Sequence, residues 1–221
     1  MLRVRALPSV AALAAVLVCA TPAPAQTIID EWSSVKAPPA PELKPVTVDP
    51  KTTALLVMDL TKQLCNNEIR PRCIASIPKI AGLLAAARAK GVMVIYTLVS
   101  SPSITIADTL PGVAPKGDEP VVAAFLDKFM LGDQDTGLQK ILKDKGITTV
   151  IAVGTAAHGA VLYTATTAAL RGFNVIVPVD GMSGNGQNTY IEQYVAYNLV
   201  NAPVIASKIT LTRIDMVGFA N

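Results

Sequence analysis

The feature that most restricts the fold of this chain is a regular alternation of short apolar runs with longer segments of helical periodicity. The apolar runs are residues 53–60, 92–99, 148–153, 173–179 and 204–211. The helical patterns are residues 75–90, 121–129, 137–145, 154–171 and 188–199. Continuous apolar runs are typical of strands buried on both faces of a parallel sheet, and such a sheet needs crossover connections. The alternation therefore predicts an α/β fold with three layers, in which helices cover both faces of a central, mostly parallel sheet.

The start of the chain has the three parts of a secretory signal. Arg3 and Arg5 give a positive charge, Val10–Ala20 is an unbroken apolar run, and residues 23–25 (Ala-Pro-Ala) offer small side chains for cleavage. We therefore expect a signal peptide over residues 1–25, cleaved after Ala25, and a periplasmic or secreted mature protein. The alternative is a buried N-terminal helix.

Charge and hydropathy exclude two classes of partner. The chain carries 19 Lys and Arg against 16 Asp and Glu, and two of the arginines leave with the predicted signal. The mature chain is then nearly neutral and has no basic patch interleaved with aromatic residues, which nucleic-acid binding needs. After the signal, no apolar run reaches transmembrane length. We expect neither nucleic acid nor a membrane as a partner of the mature protein.

The segment after the predicted signal is rich in proline. Prolines stand at positions 38, 39, 41, 45 and 50. Proline removes a backbone donor and disfavours helix for itself and for the residue before it. We therefore predict an extended N-terminal arm over residues 26–51, followed by one domain over residues 52–221.

The number and spacing of the cysteines are consistent with an exported protein. Cys19 leaves with the predicted signal, which leaves Cys65 and Cys73 close together in the segment CNNEIRPRC. In an oxidising compartment we expect a disulfide between them, which stabilises the fold by about 2–3 kcal/mol on a chain-entropy estimate. A free pair of thiols and a metal site are the alternatives. Other soft ligands are scarce, so no metal is expected.

Candidate site residues follow the predicted strands, because ligands of open parallel sheets bind beyond the carboxyl ends of the strands. Asp59 ends the first strand, residues 154–160 follow the third, and Asp180 follows the fourth. An apolar setting raises the pKa of a carboxyl group unless a cation or hydrogen bonds oppose it, which suits Asp59 to acid or base catalysis. A structural acid that caps the next turn is the alternative.

The segment 154–160 (GTAAHGA) is a turn of small residues that leads from a strand into a helix. Such turns aim backbone N–H groups at an anion or oxyanion, although small residues also serve tight packing. A phosphate loop is not expected, because the Gly-Lys-Ser/Thr ending is missing. His158 is the only histidine, so a His-based metal site is not expected, and His158 either serves catalysis or bonds locally. The spacing of the lysines does not by itself mark Lys128 as a site residue.

Three stretches taken in order carry a resemblance to a known family. They are TTALLVMDL, then PGVAPKGDEPVV, then DKF with TGLQKILKDKGITTVIAVGTAAHGAVLYTATTAALRGFNVIVPVDGMS. Over Thr52–Gly184 the chain resembles the isochorismatase-like hydrolase superfamily. The resemblance implies a Rossmann-like topology, a small-molecule substrate, no cofactor and assembly into homo-oligomers.

The amidase members of that family use a catalytic Asp at the end of the first strand, a Lys before the third strand and a Cys at the start of the next helix. By resemblance, the Asp matches Asp59, the Lys matches Lys128, and the Cys position is Ala160. An alanine side chain forms no thioester, so the covalent route is lost or needs another nucleophile, such as Thr155.

The true isochorismatases resemble this chain better at the turn, since they also lack the cysteine and carry an Ala-His pair like Ala157-His158. In those enzymes the Asp protonates a vinyl-ether carbon and water attacks the resulting cation. The resemblance therefore implies that Asp59 is the general acid and that Lys128 holds its charge state and orients the substrate.

The resemblance also assigns the substrate and oxyanion side of the site to the turn. It implies a non-proline cis peptide at about Thr155-Ala156, backbone amides of Ala156 and Ala160 that face the substrate, and a contact role for the turn residues. These residues are Thr155, Ala156, Ala157, His158 and Gly159.

Two features separate this chain from a cytoplasmic isochorismatase. One is the predicted export, and the other is a site with few of the charged residues expected around a dicarboxylate. The prediction is an exported hydrolase that acts on a small molecule without a cysteine nucleophile, with Asp59 as general acid or base. The alternative is a catalytically inactive, ligand-binding protein on the same scaffold, which Ala160 and the export favour.

Overall fold

A computed structural model describes residues 27–186 and 188–221 of the chain. The predicted signal peptide lies outside the described residues. The chain divides into a unit that ends at Ala37 and a unit that runs from Pro38 to Asn221. In the first unit, Thr27 precedes a short helical turn, and its backbone N–H donates to Asp30 Oδ2 over 2.8 Å. The second unit contains the sheet.

The regular elements are numbered in chain order. The strands are β1 (Val46–Val48), β2 (Thr53–Met58), β3 (Met93–Val99), β4 (Val121–Ala124), β5 (Met130–Leu131), β6 (Gln134–Asp135), β7 (Thr149–Thr155), β8 (Asn174–Pro178), β9 (Met182–Ser183), β10 (Ile209–Thr212) and β11 (Val217–Phe219). The α-helices are α1 (Ile28–Glu31), α2 (Pro71–Ala89), α3 (Leu138–Asp144), α4 (Leu162–Leu170) and α5 (Tyr190–Asn201).

The main sheet is parallel and has the strand order β10-β8-β7-β2-β3-β4, with β9 paired to the end of β7. The apolar strand β2 lies in the interior of this order, so Leu56 stands opposite both Ile95 of β3 and Ala152 of β7. The strand order changes direction around β2, which is where ligands of such sheets bind. The predicted α/β architecture is confirmed.

Side chains of β2 alternate between two apolar clusters, one on each face of the sheet. Leu55 belongs to the cluster that contains Ile80 of α2. Leu56 belongs to the opposite cluster, which contains Ala165 of α4 and Leu199 of α5. Helices therefore cover both faces, as three-layer packing requires, and the continuous apolar run of β2 follows from burial on both sides.

The sequence prediction was wrong for residues 121–129, which are not helical. The first part is β4, an edge strand in which Tyr96 of β3 stands opposite Val121. Its side chains alternate between exposed and buried, and pairing with β3 outweighs the helical spacing read from the sequence. A turn follows, and it places Lys128 just beyond the carboxyl end of the sheet.

Other boundaries shift by a few residues. The last predicted strand, 204–211, begins only at Ile209, because residues 206–208 form a 3-10 turn. The segment predicted as helix from Gly154 starts as the end of β7 and continues through a π-helical turn, Ala157–Val161, into α4. The proline-rich segment 26–51 is not extended throughout, since it contains α1 and a 3-10 turn over Trp32–Ser34. Strand β1 pairs in parallel with β11. Among the described residues, no helix is both long and apolar enough to cross a bilayer.

The expected disulfide joins Cys65 and Cys73, whose Cα atoms are 5.5 Å apart. Both side chains are buried, and Cys73 lies in the first turn of α2. The bond closes a short loop between the end of β2 and the start of α2.

Removal of this disulfide is expected to lower the free energy of unfolding by about 2–3 kcal/mol, because the reduced unfolded chain gains loop entropy. Urea unfolding of the double variant Cys65→Ala/Cys73→Ala measures this loss. A reducing agent serves as the control, since it should bring the wild-type protein down to the same stability and leave the variant unchanged. Equal stability of wild type and variant would contradict the prediction.

Candidate active site

Asp59 comes directly after β2, at the carboxyl edge of the sheet. Its backbone N–H donates to the Thr97 carbonyl over 3.1 Å, and its φ of 57° lies in the left-handed region. Aspartate tolerates this region better than most side chains do. On the other side, β7 approaches so closely that a Cβ at Gly154 would overlap the Met58 carbonyl oxygen. The glycine therefore lets β7 pack against the strand that presents Asp59.

Lys128 reaches Asp59 from the turn after β4. Its Nζ lies 2.8 Å from Asp59 Oδ2, and the side chain is 0% exposed. Nζ also donates to the Phe125 carbonyl over 3.0 Å. The Lys128 backbone is held on both sides: its N–H donates to Thr164 Oγ1 over 3.1 Å, and its carbonyl accepts from Thr136 Oγ1 over 2.7 Å. The structure thus brings together two residues that are far apart in sequence.

Burial dominates the electrostatics of this pair. Asp59 is 2% exposed, and burial raises the pKa of its carboxyl from 3.8 to about 6, although the charge and hydrogen bond of Lys128 oppose the rise. Burial also lowers the pKa of the Lys128 ammonium, against the attraction of Asp59. A carboxyl group with a pKa near neutrality can both donate and accept a proton under physiological conditions, as acid-base catalysis requires.

The turn after β7 lies on the neighbouring strand at the same edge. The peptide between Thr155 and Ala156 is cis, as expected. The Ala156 carbonyl accepts from the N–H groups of Gly159 and Val161, over 3.0 and 3.2 Å. The roles expected for the amides of Ala156 and Ala160 stay predictions.

The side chains of the turn after β7 differ in their burial and in their contacts. Thr155 is fully buried, and its hydroxyl donates to the Ser183 carbonyl over 3.1 Å. Ala157 and Ala160 belong to the apolar cluster that α4 and α5 line. His158 is partly exposed, but its Nδ1 is buried and has no hydrogen-bond partner among the described residues. The sequence allowed two roles for His158, catalysis or local hydrogen bonding. Among the described residues, Nδ1 makes no local hydrogen bond.

Several buried polar atoms at this edge of the sheet have no hydrogen-bond partner in the described part of the chain. They are Asp59 Oδ1, Thr61 Oγ1, Thr97 Oγ1, His158 Nδ1 and Ser183 Oγ. Thr97 lies within β3, opposite the last residue of β2, and the others belong to residues at or just beyond the ends of β2, β7 and β9. Buried polar groups are rarely left unpaired in proteins, so a cluster of them marks a place where a polar ligand or water fits.

Sequence reasoning missed Arg70, which lies in the disulfide loop. Its positive charge lowers the pKa of Asp59, and burial lowers the pKa of its own guanidinium. Nη1 donates to the Leu64 carbonyl over 2.6 Å. Its position in the sequence could have indicated it, since Arg70 follows the strand that Asp59 ends and stands between the two paired cysteines.

Asp180, the third candidate from the strand-end rule, does not join this cluster. Its carboxylate accepts from Lys79 Nζ over 3.0 Å and from the Ile214 N–H over 2.8 Å. It therefore ties α2 and the segment after β10 to the end of β8. A cleft of about 300 Å³ lies there, lined by these charged side chains and by neither Asp59 nor Lys128.

No three His, Cys, Asp or Glu side chains within residues 27–186 and 188–221 are grouped so that they could hold a metal ion. The candidate residues at this edge of the sheet are Asp59, Lys128, Arg70 and those of the turn after β7.

The comparisons with known proteins agree with this architecture. The isochorismatase domain family matches residues 53–208. A secreted isochorismatase effector of Verticillium dahliae is 29% identical over 148 residues, which cover 62% of this chain and 76% of that protein.

Solved structures share the fold at lower sequence identity. An isochorismatase from Pseudomonas putida has a TM-score of 0.66 at 18% identity, over 78% of this chain and 93% of that chain. A cysteine hydrolase from Pseudomonas syringae pv. phaseolicola has a TM-score of 0.65 at 18% identity, over 79% and 94% of the two chains. Since the family match spans most of the chain and the fold agrees, this protein belongs to the isochorismatase family.

Proposed function

We propose that this protein is an exported hydrolase that cleaves a small vinyl ether, of which isochorismate is the model, with Asp59 as the general acid and no covalent intermediate. The observation that supports this most is the state of the Asp59 carboxyl. It is buried, and Lys128 Nζ lies 2.8 Å from Oδ2. The signal-like start of the chain and the secreted relative support export.

The reaction begins with proton transfer from the Asp59 carboxyl to the terminal vinyl carbon. The electron pair of the carbon–carbon double bond forms the new C–H bond, and the ether oxygen stabilises the cation that results. Asp59 becomes a carboxylate at this step. Lys128, 2.8 Å from Oδ2, stabilises this carboxylate as it forms, because its ammonium faces the oxygen in a buried setting.

Water then adds to the cation and transfers a proton to the Asp59 carboxylate, which restores the acid. The hemiketal that forms collapses to an alcohol and a carbonyl compound, so atoms and charges balance. No step needs a nucleophilic side chain. We propose on this basis that Ala160 occupies the position of the family cysteine without loss of activity. The Thr155 hydroxyl, which donates to the Ser183 carbonyl, is not required either.

The proposal is tested by the turnover of isochorismate and simpler vinyl ethers by the purified mature protein, with both products measured by chromatography. Esters and amides belong in the same panel, because they separate this reaction from that of the amidase relatives. A protein that binds these compounds and converts none of them would overturn the proposal and support the ligand-binding alternative.

The pH profile gives a second, independent test of the acid role. The active form holds the proton, and the pKa of Asp59 is raised to about 6. We therefore expect log(kcat/KM) to be level below about pH 6 and to fall by about one unit for each pH unit above it. Initial rates between pH 5 and 9 measure this. A rate that rises through pH 6 would mean that the carboxylate acts as a base.

A further inference from the structure

Strand β9 has only two residues, and it borders the turn after β7. Met182 stands opposite Gly154, and Ser183 stands opposite Thr155. The Ser183 carbonyl accepts from the Thr155 hydroxyl over 3.1 Å, and the Ser183 hydroxyl is one of the buried atoms without a partner among the described residues. A strand of two residues makes few backbone hydrogen bonds, so its place beside the turn depends on what holds the residues that follow it.

A carboxylate of α5 holds the chain directly after β9. Glu192 Oε1 accepts from the Gly184 backbone N–H over 2.8 Å. A Cβ at Gly184 would lie 2.6 Å from Ile191 Cγ2, so the chain passes against the first turn of α5 at a point that has no room for a side chain. Gly184 is therefore fixed by both a hydrogen bond and close packing.

Arg72 in turn holds the Glu192 carboxylate at two points. Its Nε donates to Oε1 over 2.7 Å, and its Nη2 donates to Oε2 over 3.0 Å, a geometry that gives both strength and orientation. Nη2 also donates to the Asn188 carbonyl over 3.0 Å. Arg72 lies in the first turn of α2, next to Cys73 of the disulfide. A connected set of contacts therefore runs from the start of α2 through Glu192 to β9, and from there to the turn after β7.

We propose that Glu192 is a positioning residue for the candidate active site, which fixes Ser183 and Thr155 through the Gly184 N–H. The inference rests on the proposed function only for the reaction that the site performs. Loss of the carboxylate leaves the Gly184 N–H without its acceptor and lets β9 move relative to β7. Such a shift affects catalysis strongly, since a displacement of about 1 Å at a site can lower a rate by about 100-fold.

A second ion pair of the chain provides a matched control. Arg88 donates to the Glu119 carboxylate at two points, over 2.8 and 2.7 Å, and the same carboxylate accepts the Lys116 backbone N–H over 2.8 Å. The Glu119 and Glu192 side chains are both 16% exposed. The control pair joins the last turn of α2 to the segment before β4, at the amino end of that strand, whereas the turn after β7 lies at a carboxyl end. Loss of either carboxylate should therefore lower stability to a similar extent, and only the loss of Glu192 should affect the site.

The test measures native-state hydrogen exchange by NMR in the full mature protein, so that it needs no turnover. The amides of Gly159 and Val161, which donate to the Ala156 carbonyl, report on the order of the turn. The amides of β2 report on the unfolding of the whole domain. At equal exchange in β2, we expect the turn amides of Glu192→Ala to exchange about 10-fold faster than those of Glu119→Ala.

Two further variants separate the hydrogen bond from the charge. Glu192→Gln keeps an acceptor for the Gly184 N–H, so it should restore most of the protection of the turn. Gly184→Ala keeps both charges of the Arg72–Glu192 pair, but its Cβ would meet Ile191 and displace the chain after β9, so it should loosen the turn as Glu192→Ala does. Where vinyl ethers are converted, kcat of Glu192→Ala should fall by about 10- to 100-fold, and kcat of Glu119→Ala should match the wild type.

A merely structural role of Glu192 would predict a different result. Equal exchange at the turn in the two alanine variants, or no rescue by Glu192→Gln, would overturn the inference. If Glu192→Ala does not fold, a turn that is unchanged in Gly184→Ala would overturn it as well. If the turn loosens in Glu192→Ala while the wild-type protein converts no vinyl ether, the positioning of the turn stands and the proposed reaction falls. If vinyl ethers are converted and Glu192→Ala keeps the wild-type kcat, the reaction stands and the inference falls.

Discussion

Replacement of Asp59 by Asn is expected to lower kcat for vinyl-ether hydrolysis by about 10²- to 10⁴-fold, the usual contribution of a general acid. The amide of Asn has nearly the same shape as the carboxyl group, but it has no proton of suitable acidity to give to carbon. KM should change much less than kcat, because the substitution removes the acidic proton and keeps the size of the side chain. Steady-state rates measured at pH 6 with the purified variant provide the comparison.

Asp215→Asn is the control for this experiment, since Asp215 is an exposed acid that pairs with Arg213 at the surface. Its rate should match that of the wild-type protein. Thermal unfolding of both variants shows that each is folded under the assay conditions. Turnover that survives in Asp59→Asn would exclude Asp59 as the acid and require a different proton donor.

Replacement of Lys128 by Met is expected to lower the free energy of unfolding by about 3–5 kcal/mol at pH 7.5, the usual effect of breaking a buried ion pair. The substitution leaves the Asp59 carboxylate buried without its cation. It should also reduce turnover, because the carboxylate formed in the first step then lacks stabilisation. Urea unfolding measured by circular dichroism gives the loss of stability.

The loss of stability in Lys128→Met should be smaller at pH 5 than at pH 7.5. The pKa of Asp59 is higher in the folded state, about 6, than its ordinary value of 3.8, so its contribution to stability is present below pH 4 and lost as the pH rises through 6. Without Lys128, the largest effect that opposes burial is lost and this pKa rises further, so ionisation of Asp59 becomes more destabilising. The difference between wild type and variant therefore grows as the pH rises.

Lys140→Met is the control for the buried pair, because Lys140 forms an exposed pair with Asp144 on α3. Exposed ion pairs contribute little to the free energy of unfolding. The stability of Lys140→Met should therefore stay within about 0.5 kcal/mol of the wild-type value at both pH values. An equal loss in the two variants, or a loss in Lys128→Met that does not depend on pH, would contradict the electrostatic explanation.

The sheet could be predicted from sequence because its interior strands are buried on both faces. In β2, every residue from Thr53 to Met58 is buried, so the apolar run is continuous and unambiguous. The edge strand β4 is different, since exposed and buried residues alternate and the run is short. Its true partner, β3, is distant in sequence, which is why local spacing suggested a helix instead.

The candidate site was predictable only in part. Asp59 was found because it follows a buried strand, and Lys128 was placed by family resemblance. Arg70 was missed because its closeness to Asp59 depends on the path of the loop that the disulfide closes. Asp180 obeys the same strand-end rule as Asp59, but the structure uses it to bind Lys79 and the Ile214 N–H. Strand ends indicate where a site can lie, and only tertiary contacts decide which residues enter it.

The left-handed backbone of Asp59 has a consequence for how this scaffold can change over evolutionary time. Besides glycine, Asn and Asp are the residues that occupy this region most readily. Asn and Gly are each one nucleotide substitution away from Asp codons. A gene duplicate can therefore exchange its acid for an uncharged residue without disturbing the backbone at this position. Under the proposed mechanism, a single codon change on this scaffold separates an enzyme from a non-catalytic binding protein.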